Sequence, residues 1–267
     1  MRETIPITYH PHWLHIFIRL LLVLLLILVF SILSEGSSRK AQRLTPELIA
    51  EAEQRLSDLG YWTGPIDGIF DAASQHALIA FQKIEGRKRT GRLTSEELDA
   101  LRVANLPQPR DPSYAHVEVD LTRQVLMVVE SDGKVTHILP VCTGNEKPYF
   151  DEGRWQRAHT PRGTFVITRK INGWRLSSLG LLYYPNYIYE GIAIHGSLII
   201  RTYPDSHGCI RVPMFAAKQF SEMTPVGTIV VVYDWRYSQL GVEDDWKINL
   251  YARFFRDWPQ RLTARRW

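Results

Sequence analysis

The stretch His116–Val141, HVEVDLTRQVLMVVESDGKVTHILPV, contains three β-branched runs separated by polar turns, one of them Ser-Asp-Gly. Short runs of this kind with turn residues between them are the signature of consecutive strands. FVITRK (165–170), GIAIHG (191–196) and TIVVVY (228–233) continue the pattern downstream, and PMFAAKQFSEM (213–223) is the one clear helix among them. A β-rich, sandwich-like domain is therefore expected over residues 114–233.

Upstream of the strands the period changes. Residues 105–113 hold three prolines, which forbid helix continuation and predict an extended linker. Before it, residues 44–104 read as three short helices. Thr45 with Pro46 forms a start signal, and Leu48, Ala52, Leu56 and Leu59 recur on one face until Gly60. After the loop GYWTGPIDGIF, a second helix carries Ala73, Ala77, Ala80, Phe81 and Ile84, and a third opens with a Thr94–Glu97 capping box. The basic run Arg87, Lys88, Arg89 and Arg92 falls in a Gly-flanked loop, so it reads as a solvated turn and not as a nucleic-acid recognition helix. The fold class expected is α+β, with a small helical domain ahead of a β-rich one.

The two ends have their own character. Leu14–Leu33 is long enough to cross a bilayer and carries only Arg19 as a charge, so residues 1–36 are expected to form a membrane anchor or a cleaved export signal, the anchor being favoured. Basic residues lie on both sides of this segment and leave its orientation open. Residues 234–267 alternate aromatics with arginines, which suits a strap packed over the β domain better than a membrane-surface helix.

The chain of 267 residues has a net charge of +4, which favours anionic surroundings without choosing among cell-wall polymer, lipid headgroups and nucleic acid. Two cysteines, Cys142 and Cys209, exclude a disulfide-scaffolded fold. In an exported chain an unpaired thiol in a polar turn is a candidate nucleophile.

That candidate sits in IAIHGSLIIRTYPDSHGCIRV (192–212), where His195 ends an apolar strand and Cys209 follows a Ser-His-Gly turn. An ordinary thiol is a poor nucleophile at neutral pH until an imidazole or backbone dipoles assist it. Gly208 allows a tight bend, and the Gly208 and Cys209 N–H groups, read as preceding a helix, are expected donors to an oxyanion. The spacing of His195, His207 and Cys209 matches no common zinc pattern, so no zinc site is expected.

The same stretch closely resembles the L,D-transpeptidase catalytic-domain family, whose signature is a His-Gly, a variable loop and Ser-His-Gly-Cys followed by an apolar residue and Arg or Asn. DLTRQVLMVVESDG, VCTG and TPRGTFVI resemble the family's opening hairpin, a following strand end and its Thr-Pro-x-Gly-x-Phe segment. LSDLGYWTGPIDGIFDAASQHALIAFQ resembles the peptidoglycan-binding domain family. Two departures stand out: the loop from Gly196 to Asp205 is short, and Cys142 takes a position where many relatives have serine.

The resemblance implies a thioester-forming acyltransferase that needs no metal or organic cofactor, with Cys209 as nucleophile, His195 as base and the Gly196 carbonyl orienting the imidazole. His207 and Arg211 would shape the pocket, with Gly196, Ser197 and Ser206 against the substrate. The implied reaction joins peptidoglycan stem peptides outside the cytoplasmic membrane. An L,D-carboxypeptidase or cross-link hydrolase using the same thiol, and a catalytically idle wall anchor, are the alternatives. Arg169, Lys170, Trp174 and Tyr184 are further candidates for lining the cleft.

Overall fold

A computed structural model describes residues 19–25 and 44–234. Residues 19–25 are helical and Leu20–Leu25 are exposed. The rest of the expected Leu14–Leu33 span, and residues 235–267, lie outside the described residues. Among the described residues no helix is long and apolar enough to cross a membrane.

Three helices come first: α1 (Pro46–Asp58), α2 (Ala72–Ile84) and α3 (Ser95–Val103). Thr45 caps α1 with Pro46 in the first turn, and Gly60, at φ +82°, supplies the left-handed residue that ends it. Asp71 caps α2 by accepting from the Ala73 and Ser74 N–H groups at 2.8 and 2.9 Å. Thr94 caps α3 through Glu97 N–H, while the Glu97 carboxylate accepts from Arg87 Nε at 3.0 Å. The Asp-Gly turn between α1 and α2 is braced by Glu53, which is fully buried. Its carboxylate takes the Asp67 and Gly68 N–H groups and the Ser74 hydroxyl.

Twelve strands follow among the described residues. β1 (His116–Asp120), β2 (Val125–Val129) and β3 (Val135–Pro140) form a meander; β12 (Ile229–Tyr233) pairs parallel to β1 and antiparallel to β6 (Gly163–Val166). The first sheet thus has the order β3-β2-β1-β12-β6. The second has the order β11-β10-β9-β7, from β7 (Arg169–Lys170), β9 (Gly180–Tyr189), β10 (Ile192–Ser197) and β11 (Ile210–Pro213), with β8 (Trp174–Ser177) pairing to β9. A separate hairpin joins β4 (Pro148–Asp151) to β5 (Arg154–Arg157). α4 (Met214–Met223) connects β11 to β12.

Strand β2 explains how the halves fit. Its side chains alternate between faces, yet all five are buried. Leu126 and Val128 enter a core with Val119, Ile194, Val212 and Phe220, between the two sheets and α4. Val125, Met127 and Val129 enter a second core with Leu56, Tyr61, Phe81, Leu101 and Ile138, beneath the helices. The unbroken apolar run VLMVV is thus a strand covered on both sides, and residues 44–234 form one compact body.

The helical unit is consequently not held away from the strands by its linker. Arg110 and Asp111 N–H donate to the buried Glu118 carboxylate on β1, fastening the linker to the sheet. The Gly60–Trp62 turn exchanges backbone hydrogen bonds with Ile138 of β3, at 2.7 and 3.1 Å.

The strand pattern is legible in the β-branched runs and silent elsewhere. β4, β5 and β8, largely exposed, were not anticipated, nor were β9 and β11, which pair with β10 on its two sides.

Candidate active site

β10 and β11 run parallel with Ile194 opposite Ile210 and His195 opposite Arg211. Ile194, Ile210 and Val212 point into the inter-sheet core, so alternation directs His195 and Arg211 to the other face. Cys209 lies one residue before β11, two before Arg211, and shares their face. A cavity of about 250 Å³ opens there, lined by His195, Cys209 and Arg211 together with Ser197, Ser206 and His207. Trp174, Leu179 and Leu181 from the β8–β9 hairpin form its opposite wall.

His195 is only 5 % exposed, and its Nδ1 lies 2.9 Å from the Gly196 carbonyl. A carbonyl only accepts, so Nδ1 carries the proton and Nε2 is left as the acceptor. Burial holds the imidazole neutral, its pKa lowered to about 4; the Gly196 hydrogen bond opposes the shift and the nearby Arg211 adds to it. Burial also pushes the Cys209 thiol up, against the Ala193 backbone and Arg211. The resting pair is thus a neutral thiol beside a neutral imidazole.

Gly196 has no room for a side chain: a Cβ there would meet the Ala217 Cβ at 2.6 Å. Gly208 has φ +136°, and a Cβ would meet His159 O and Ile192 Cδ1, each at 2.8 Å. The Gly208 peptide is pinned at both ends. Its N–H donates to Ser206 Oγ at 3.0 Å, and its carbonyl accepts from Thr160 Oγ1 at 2.7 Å.

Two expectations change here. Cys209 leads into strand β11 and not into a helix, so no helix dipole points at it. The Gly208 N–H, expected to face an oxyanion, is committed to Ser206.

Ser206 is 1 % exposed and also donates to the Cys209 carbonyl at 2.6 Å, closing the turn that presents the thiol. Arg211 lines the cavity while Nη1 reaches the Asp205 carbonyl at 3.3 Å. Ser197 donates to Ile199 O at 3.2 Å on the cavity rim.

His207 packs edge-on to Tyr149 of β4, ring centroids 4.7 Å apart. It also borders a second cavity, of about 510 Å³, between the β4–β5 and β8–β9 hairpins. Cys209 lines the first cavity, its Sγ 3.9 Å from the carbonyl of Gly191, which lines the second; His207, Ser177, Leu179 and Leu182 border both. The hairpins meet where Ser178 donates to Asp151 at 2.9 Å.

Of the further candidates, Trp174 lines the first cavity. Arg169 instead stacks over the Tyr187 ring, Lys170 binds the Ser221 and Thr224 carbonyls at the end of α4, and Tyr184 packs on Tyr183. Residues 169 and 170 belong to a strand paired with β9, which turns them towards helix α4 and the sheet. Tyr149 and Thr160 were not singled out from sequence. Thr160 opens the quoted TPRG segment, whereas Tyr149 belongs to a charged hairpin that carries no apolar periodicity. Cys142 is fully buried and exchanges backbone hydrogen bonds with Arg211; its thiol donates to Tyr203 O at 3.4 Å. Among the described residues no three His, Cys, Asp or Glu side chains converge as a metal site.

Residues 114–232 match the L,D-transpeptidase catalytic domain family, and residues 45–101 match a peptidoglycan binding domain family. The crystal structure of an L,D-transpeptidase from Xylanimonas cellulosilytica is 40% identical, with a TM-score of 0.66, and the alignment covers 69% of this chain and 92% of that one. An L,D-transpeptidase from Stackebrandtia nassauensis is 24% identical, with a TM-score of 0.42 over 74% of this chain and 95% of that one. The NMR structure of the catalytic domain of an E. faecium L,D-transpeptidase is 25% identical, with a TM-score of 0.34 over 45% of this chain and 98% of that one. No curated protein sequence matches the chain. The two family matches, together with the identity to the Xylanimonas enzyme across most of its length, establish that this chain belongs to the L,D-transpeptidase family, as an enzyme that carries a peptidoglycan-binding domain.

Proposed function

We propose that Cys209 is the nucleophile of this transpeptidase and His195 its general base, acting on peptidoglycan tetrapeptide stems. The observation that carries the reading is the β10–β11 register, which sets Cys209, His195 and Arg211 on one face around one cavity, with Nδ1 of His195 tied to Gly196 O.

In the first half-reaction Cys209 Sγ attacks the carbonyl of the third stem residue while its proton passes to His195 Nε2. A thioester C–S bond forms, the C–N bond to D-alanine breaks, and the imidazolium returns the proton to the departing amine. In the second, the amine of another stem gives its proton to Nε2 and attacks the thioester, releasing the thiol. The Cys209 N–H is the proposed oxyanion donor, Gly208 being committed elsewhere. Arg211, in the same cavity, supplies positive charge to a stem carboxylate or to the developing oxyanion. Ser197 and Gly196 border the bound stem, His207 separates the two cavities, and Ser206 holds the turn. The cavity that holds Cys209 and the second one that adjoins it at His207 leave room for two stems.

The site works without a metal or organic cofactor in this scheme. The N-terminal apolar segment anchors the chain in the cytoplasmic membrane, with the catalytic body on the outer, periplasmic side where the cross-links lie. A reporter fused after Trp267 that is active only in the cytosol would refute that topology.

Mass spectrometry of muropeptides after incubation with the enzyme tests the reaction. Cross-links between third stem residues are expected with the parent and absent with Cys209→Ala. Shortened stems without new cross-links would mean that water, and not an amine, resolves the thioester.

A further inference from the structure

The helical unit reaches into the catalytic half with two basic side chains that donate hydrogen bonds to its backbone. Lys83, from the last turn of α2, is 2 % exposed. Its Nζ donates to the carbonyls of Gln124 (2.8 Å) and Val141 (2.9 Å), which adjoin each other at the Val125–Pro140 end of the β2–β3 pair. Arg89, from the loop after α2, donates from Nη1 to the carbonyl of Thr202 at 2.8 Å. Thr202 belongs to the segment 198–205, whose Leu198 and Ile199 line the cavity and which runs directly into the Ser206–Cys209 turn.

From Lys83 a continuous series of hydrogen bonds reaches that same turn. The Gln124 side chain donates to Thr143 Oγ1 at 2.7 Å and accepts from Thr143 N–H at 3.0 Å. The Thr143 carbonyl then accepts from both Asp205 and Ser206 N–H, at 3.0 and 2.9 Å. Ser206 Oγ in turn bonds the Cys209 carbonyl and the Gly208 N–H. The series runs through backbone amides and the buried side chains of Lys83, Gln124, Thr143 and Ser206, so its geometry depends on both ends being held. Arg89 holds the same segment at Thr202, three residues before Asp205.

We infer that Lys83 and Arg89 of the peptidoglycan-binding unit are positioning residues for transpeptidation: they fix the segment 198–209 from behind, so the helical unit is part of the active-site architecture besides being a wall-binding module. This inference rests on Cys209 being the nucleophile. Neither side chain lines the cavity that holds Cys209. Their effect is on the placement of the thiol and its oxyanion donor, where a displacement of about 1 Å is enough to slow a reaction on the order of a hundredfold.

The test uses the full chain and soluble stem peptides without glycan, so that wall binding contributes nothing to the rate. Arg89→Ala is expected to lower kcat about tenfold with KM changed less than about twofold. Binding to isolated sacculi should be unchanged. Arg89→Lys, which restores one cationic donor at slightly shorter reach, should recover most of the lost kcat. Lys83→Met, matched in length but unable to donate, should lower kcat by a similar factor, and Arg89→Ala keeps the inference testable where Lys83→Met folds poorly.

An Arg89→Ala enzyme with parental kcat on soluble peptides and a deficit only on intact sacculi would overturn the inference, since that is the pattern of a simple tether. Equal kcat for Arg89→Ala and Arg89→Lys, both below the parent, would overturn it as well. Cys209→Ala, run alongside, keeps the two readings apart: turnover surviving in that variant means the nucleophile is misassigned, whatever Arg89 does.

Discussion

The protonation state of the Cys209–His195 pair makes a sharp prediction about pH. Burial lowers the His195 pKa to about 4 and raises that of the Cys209 thiol. At pH 7 the imidazole is then neutral and the thiol protonated, so a standing thiolate–imidazolium pair is not the resting state. Alkylation by a small reagent such as iodoacetamide, which needs the thiolate and cannot use His195 productively, should therefore climb with pH. Between pH 6 and pH 8 the rate constant should rise about a hundredfold, with no plateau.

Acylation by a stem substrate should behave differently, because neutral His195 removes the proton as the carbonyl is attacked. That rate needs only the neutral imidazole, so it should be nearly level from about pH 5 upwards and fall as pH drops through about 4. Intact-mass kinetics of both reactions across pH 3.5–9 measure the two profiles on one protein. An alkylation plateau between pH 5 and 7 would refute the reasoning, since it is the mark of a preformed thiolate. Titration of substrate acylation near pH 6.5 would show that burial does not depress His195.

Phe81→Ala, in the core shared by the helices and β2, should cost about 3–5 kcal/mol, and thermal unfolding should stay a single transition because Phe81 packs with residues of both halves. Separate melting of the helical unit would contradict the shared core. Cys142→Ser should keep turnover within about twofold, because a hydroxyl can replace the thiol's contact with Tyr203 O; a loss matching Cys209→Ser would give Cys142 a role in the chemistry. Gly208→Ala forces a side chain into left-handed backbone and against His159 and Ile192. Acylation should fall on the order of a hundredfold or more, and parental rates would mean that this turn is not rigid.

What could be read from the residues followed the strength of their periodicity. Leu48, Ala52, Leu56 and Leu59 marked α1, and the apolar strands β1, β2, β3, β10 and β12 stood out by their β-branched runs. The continuous burial of VLMVV in β2 was present in the sequence, but without a partner in view it did not say that helices cover its outer face. The β4–β5 hairpin was missed because PYFD and RWQR face a cavity and solvent and so carry no apolar alternation. Tyr149, which packs on His207, was missed with it.

Within the site, Cys209, His195 and Gly196 could be placed because their spacing is short and their chemistry is demanding. The commitment of the Gly208 N–H to Ser206 depends on how the turn folds back, which residue type does not specify. Arg89, read as part of a solvated basic turn, instead donates to Thr202 across more than a hundred residues of sequence, a long-range contact that local pattern cannot reveal.

The central claim is tested most directly by intact-mass measurement of covalent acylation by a carbapenem, which resembles an acyl donor to this family. The parent should take up one adduct. Cys209→Ala should take up none, and His195→Ala should react slower by about a hundredfold or more, for want of the base. A chelator should leave all three results unchanged. An adduct that persists in Cys209→Ala, or acylation abolished by chelation, would contradict the assignment of Cys209 as the nucleophile.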